Sequence, residues 1–127
     1  MIHATLLGKR VAELYIDPYT ANHLIKGLLI ASVSTSRLLR TTQNTEISCD
    51  EYKSKNDSQF ALLQLISHTL EMRPLLTVKS KEEEMIHEAL LQYELLEMEP
   101  TLWDPAYDEF ENSVKTAIFF NDWIEEK

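Results

Sequence analysis

Two glycines stand in 127 residues, at positions 8 and 27, and that scarcity excludes more than any motif present. With so few, the chain has neither Gly-x-x-x-x-Gly-Lys-Ser/Thr nor Gly-x-Gly-x-x-Gly, so neither backbone cradle for nucleotide phosphates can form. Tight hairpins, which need positive φ, are equally disfavoured, and the balance tips towards helices. One cysteine, Cys49, rules out an internal disulfide framework and a multi-cysteine zinc site. No apolar run approaches the roughly 18 residues that a membrane span needs, and Met1 to Gly8 lacks a long apolar leader. These absences lead us to expect a cytoplasmic protein with no membrane partner. Cations are also few: 12 Lys and Arg face 21 Asp and Glu, for a net charge of -9. That sum disfavours a free-standing, tight nucleic-acid binder.

The composition is that of a globular chain, 44% hydrophobic and 26% charged. Its charge is segregated. Residues 1–40 carry five cations (Lys9, Arg10, Lys26, Arg37, Arg40) against Glu13 and Asp17, a net of +3, whereas residues 41–127 sum to -12. If the chain meets DNA, this first third is where phosphates would be held, and Lys9, Arg10 and Lys26 are the expected contacts.

Apolar periodicity gives an all-α bundle of four to five helices. A short amphipathic stretch covers Gly8 to Ile16, with Val11, Leu14 and Tyr15 on one side. Asp17-Pro18 supplies a capping carboxylate and a first-turn proline. From there Ala21, Leu24, Ile25, Leu28 and Leu29 define one face. Between Ser32 and Asn56 the period is lost, and the segment reads as a long polar loop with room for a little helix at Arg37 to Arg40. Asp57 caps the next expected helix, with Leu62, Leu63, Ile66 and Leu70 inward. Ser80 to Glu83 fits a capping box for a helix reaching Met98, with Met85, Ile86, Ala89, Leu90, Tyr93 and Leu96 buried. Asp104-Pro105 opens the last helix, which buries Phe110, Val114, Ala117 and Ile118. The pattern allows a small wing only over Ile2 to Leu6.

Candidate chemistry is thin. Glu84 and His87 stand one helical turn apart, the spacing of carboxylate-bridged metal bundles, but His3, His23 and His68 lack the matching glutamate. A solvated, dipole-favoured first turn at Glu82 to Glu84 is the better reading, so no metal site is expected. Cys49 has no histidine fixed beside it, and no nucleophile elbow exists. Trp103, Tyr107, Phe110, Phe119, Phe120 and Trp123 could stack on bases, but the acidic residues among them favour a place in the core.

Three segments together carry a family resemblance. Gly8-Lys-Arg-Val-Ala-Glu-Leu-Tyr-Ile-Asp-Pro18, Leu65-Ile-Ser-His-Thr-Leu-Glu-Met-Arg73 and Phe110-Glu-Asn-Ser-Val-Lys-Thr-Ala-Ile-Phe-Phe-Asn-Asp-Trp-Ile-Glu125 resemble, in order and spacing, archaeal superfamily-two repair helicases of the Hjm type, relatives of the Ski helicases. Leu70 stands where the family usually has proline. The resemblance implies an internal piece of such an enzyme: the tail of the winged-helix domain over 1–16 and the first half of the helical ratchet domain over 17–127. It implies a parent that moves 3′ to 5′ along single-stranded DNA and acts at stalled or branched forks. ATP and magnesium would be bound in motor domains whose motifs this chain lacks, so no cofactor is expected here and the chain alone should be inactive. Expected partners are single-stranded or branched DNA, the motor domains in cis or in trans, and further copies through exposed apolar faces. The alternative is an independent acidic helical adaptor that binds a protein partner.

Overall fold

The computed structural model describes residues 1–42 and 50–127, with side chains described for 1–33 and 59–127. The described residues contain five α-helices, one 3-10 turn and no strand: α1 (Leu6–Glu13), α2 (Pro18–Thr42), α3 (Asp50–Ser67), the 3-10 turn (Leu70–Met72), α4 (Glu83–Gln92) and α5 (Ala106–Ile124). The all-α expectation holds. The wing does not form, because residues 1–5 are irregular and Leu6 already begins α1. Cys49 lies outside the described residues.

Capping explains where the helices start. Thr5 Oγ1 accepts the Gly8 amide at 3.0 Å, and Asp17 Oδ1 accepts that of Tyr19 at 2.8 Å. Asp104 Oδ1 likewise accepts the Ala106 amide at 2.9 Å. Each satisfies an amide that has no partner within its own helix. α1 ends earlier than its apolar pattern suggests. Tyr15 takes a left-handed φ of 55°, and the Ile16 and Tyr15 amides bond back to the Val11 and Ala12 carbonyls. That pairing closes a helix. It leaves Leu14 and Tyr15 exposed and Val11 and Ile16 half-buried.

The core lies among α3, α4 and α5: Phe60, Ile86, Ala89, Phe110, Val114 and Ala117 are buried together, with Leu63, Met85, Leu90, Tyr93, Leu95 and Ile118 packed around them. α5 matches its expected face. Three other expectations are corrected. The polar stretch 32–56 is largely helical, since α2 continues to Thr42 and α3 starts at Asp50; of the expected loop, residues 43–49 lie outside the described residues. Helices already nucleated propagate through weak formers at little cost, which a search for apolar period misses. On α3 the inward residues are Phe60, Ala61, Gln64, Leu65 and Ser67, while Leu62 and Ile66 are exposed and Leu63 and Leu70 half-buried. This helix is covered on two sides, by α5 and by α2, and two of its buried positions are polar. α4 stops at Gln92, not Met98, because Tyr93 turns extended and stacks on Phe60 with ring centroids 4.2 Å apart.

The capping box at Ser80 is replaced by a different arrangement. Glu82 Oε2 accepts the Lys79 amide at 2.9 Å and the Lys115 Nζ at 2.7 Å, and Lys115 also donates to the Thr77 carbonyl at 2.8 Å. The buried ammonium of Lys115 and then the Lys79 amide hold the Glu82 carboxyl below its usual range.

Candidate functional site

The cations expected to meet DNA sit on the first two helices. Lys9 and Arg10 are neighbours on α1 and Lys26 lies on α2, all three exposed. Arg10 Nη1 is 2.9 Å from Glu13 Oε2, and with both side chains largely in water this pair is weak enough to exchange for another anion. Both helices also carry apolar side chains into solvent, among them Leu6, Leu7, Leu14, Tyr19, Leu28 and Leu29. On α2, Ala21, Leu24 and Ile25 of the expected face are half-buried, and among its described side chains the buried positions are Thr20 and Gly27.

The start of α2 is tied to the 3-10 turn by one carboxylate. Glu71 Oε1 accepts the Asp17 amide at 3.0 Å, and Glu71 Oε2 accepts the Thr20 hydroxyl at 2.6 Å. The Thr20 bond first, then that of Asp17, pulls the Glu71 carboxyl below its ordinary value. A carboxylate with a lowered folded-state pKa contributes stability above its unfolded value and loses it as pH falls through the folded one. Thermal melts should therefore show Glu71→Gln less stable than the parent at pH 7, with the difference disappearing as pH falls below the usual carboxylate range.

A second cluster was not legible in the sequence. His23 of α2, His68 just beyond α3 and Glu97 of the α4–α5 connection converge although 45 and 29 residues separate them in turn. The His68 Nδ1 stands 2.7 Å from both Glu97 carboxylate oxygens. The two imidazoles meet edge to face, with centroids 5.8 Å apart, and His23 Nε2 is 3.2 Å from the Leu65 carbonyl. Gln64 Nε2 donates to Glu97 Oε2 at 2.9 Å and to Ser113 Oγ at 3.0 Å. Burial pushes the Glu97 carboxyl up, but the bonds from His68 and Gln64 and the nearby histidine charge outweigh it and hold it below its ordinary value. Gln64 Oε1 is buried without a partner. Turning that amide over would aim its oxygen at the carboxylate, so the donor stays where it is. The Glu84–His87 pair, by contrast, points from α4 into solvent.

The aromatics divide against expectation. Phe110 is fully buried and Tyr107 and Phe120 are half-buried, but Trp103, Phe119 and Trp123 are exposed. Phe119 and Trp123 continue the side of α5 that carries the buried Lys115 and Thr116, but they lie further along the helix and are exposed there, and Trp103 precedes the helix.

Comparison with known proteins places this fold. The family model described as archaeal helicase, domain 4, matches residues 60–127, the span of the α3–α5 core. The ATP-dependent DNA helicase Hel308 of Methanocaldococcus jannaschii is 32% identical over 127 residues, which cover 96% of this chain and 8% of that protein. Hel308 of Methanococcus vannielii is 34% identical over 122 residues, covering 96% of this chain and 13% of that protein. The chain thus spans a small part of the length of these curated relatives. With its helical core inside the matched segment and both relatives aligned along nearly all of it, the chain belongs to the archaeal Hel308-type helicase family.

Proposed function

We propose that this chain is a motorless structural part of an ATP-dependent 3′–5′ DNA helicase that acts in repair at stalled or branched forks. Its helices form part of the wall of the DNA channel and hold a winged-helix segment against the ratchet bundle. The motor domains, in cis or in trans, bind ATP and magnesium. The observation that carries this reading is the segregation of charge onto the fold. In a chain of net charge -9, α1 and the start of α2 expose Lys9, Arg10 and Lys26 to solvent. The exposed apolar residues on the same helices support it further, since such surface marks places where neighbouring protein packs.

Fluorescence anisotropy with labelled oligothymidylate tests the reading. Weak binding that tightens as salt is lowered is expected. Lys9→Ala and Lys26→Ala should each reduce the slope of log affinity against log salt by roughly 0.7. No ATP hydrolysis should accompany binding. Turnover of ATP by a clean preparation, or affinity indifferent to both lysines, would contradict the proposal.

A further inference from the structure

We propose that His23, His68 and Glu97 bind one divalent transition-metal ion, zinc being the natural occupant. One donor atom from each of these side chains lies within 4.8 Å of the other two, and no other set of three such residues is brought together among those described. Two imidazoles and a carboxylate form a borderline donor set that suits zinc and leaves a fourth position for water. Around a tetrahedral zinc with bonds of about 2.0–2.2 Å, neighbouring donors stand roughly 3.3 Å apart. Small rotations of the rings and the carboxylate therefore close the site without moving a helix. The ion takes the place of the direct contact between His68 Nδ1 and the Glu97 carboxylate.

The surroundings are those that orient metal ligands. The Leu65 carbonyl, 3.2 Å from His23 Nε2, gives that ring a backbone partner that fixes its orientation. Gln64, itself fully buried and held by Ser113, fixes the carboxylate through the bond to Glu97 Oε2. The three ligands come from α2, the residue just beyond α3 and the α4–α5 connection, so the ion acts as a clasp between these segments. This role is independent of the DNA-channel reading.

The test uses the full chain carrying Cys49→Ser, which removes the one thiol, stripped with chelator and titrated with zinc chloride by calorimetry and thermal melting. One equivalent should bind, with a melting temperature that climbs as free zinc exceeds the dissociation constant. His23→Ala and Glu97→Gln should each weaken binding by more than about tenfold and abolish the zinc-dependent rise in melting temperature. His3→Ala with His87→Ala should leave both intact. Cobalt loading of the Cys49→Ser chain should give the visible bands of a four-coordinate nitrogen and oxygen site, and this readout stands even where a ligand variant fails to fold. Zinc affinity unchanged in the ligand variants, loss of binding in the His3 and His87 double variant, or a purely octahedral cobalt spectrum would overturn the proposal.

Discussion

Phe110→Ala is expected to lower the free energy of unfolding by about 3–5 kcal/mol. The ring has no exposed surface and sits in the cluster formed by Phe60, Ile86, Ala89, Val114 and Ala117. Removing it deletes the transfer energy of a large side chain and leaves a cavity walled by three helices that cannot all collapse inward. Small domains hold roughly 5–15 kcal/mol in total, so the variant should be marginal. Urea denaturation followed by circular dichroism measures the loss. Trp103→Ala is the matched control: it deletes an even larger aromatic, but one that is 94% exposed, and should change stability by less than about 0.5 kcal/mol. Equal losses for the two would mean that the α3–α5 core is wrongly located.

Gly27→Leu is expected to cost about 3 kcal/mol, the upper end of the overpacking range. Gly27 is buried where α2 crosses α3, and a Cβ there would overlap the Leu65 side chain, both of its methyl groups lying within 3 Å. Leu65 is itself 2% exposed, so displacing its methyl groups disturbs packed neighbours. Gly27→Ala sets two effects against each other. Alanine gains about 1 kcal/mol of helix propensity, while the clash costs about 1–3 kcal/mol, so a small net destabilisation is expected. A cycle with Leu65→Ala separates the contact from the rest: if the two residues meet, Gly27→Leu should cost markedly less once Leu65 is truncated. Strict additivity would place α2 elsewhere.

These two positions also show how much of the molecule could be read from its sequence. Phe110 was legible because α5 repeats its apolar residues at the helical period and starts at Asp104-Pro105, and the family resemblance rested partly on the same stretch. Gly27 was visible only as a rare residue; its purpose lies in a neighbour 38 positions away. On α3 the apolar period points to Leu62 and Ile66, whereas the fold buries Gln64 and Ser67: the Gln64 amide nitrogen donates to Ser113 and Glu97, and the Ser67 hydroxyl donates to the Leu63 carbonyl. Hydrophobic period cannot find a buried position occupied by a hydrogen-bonding residue. The long loop was misjudged for the related reason that Ser and Thr tracts look like turns even when a helix runs through them.

The His23, His68 and Glu97 cluster carries no sequence signature of a glutamate one turn before a histidine on a single helix. Here the side chains come from three segments, and Glu97 meets His68 from the connection that opens where α4 ends at Gln92 and Tyr93 turns extended. A residue in extended chain advances about 3.3 Å against 1.5 Å in a helix, and that difference is decided by the stacking of Tyr93 on Phe60. The exposed Trp103 and Trp123 make the converse point, since aromatic character alone does not say which side of a helix faces the core.

We propose that DNA is met by the basic first third of an otherwise acidic helical chain. Amide chemical shifts of the isotope-labelled protein, followed as oligothymidylate is added at low salt, address it most directly. Changes should concentrate on α1 and the first half of α2, around Lys9, Arg10 and Lys26, and fade as salt is restored. Perturbations centred on α4 and α5, with those amides still, would contradict it.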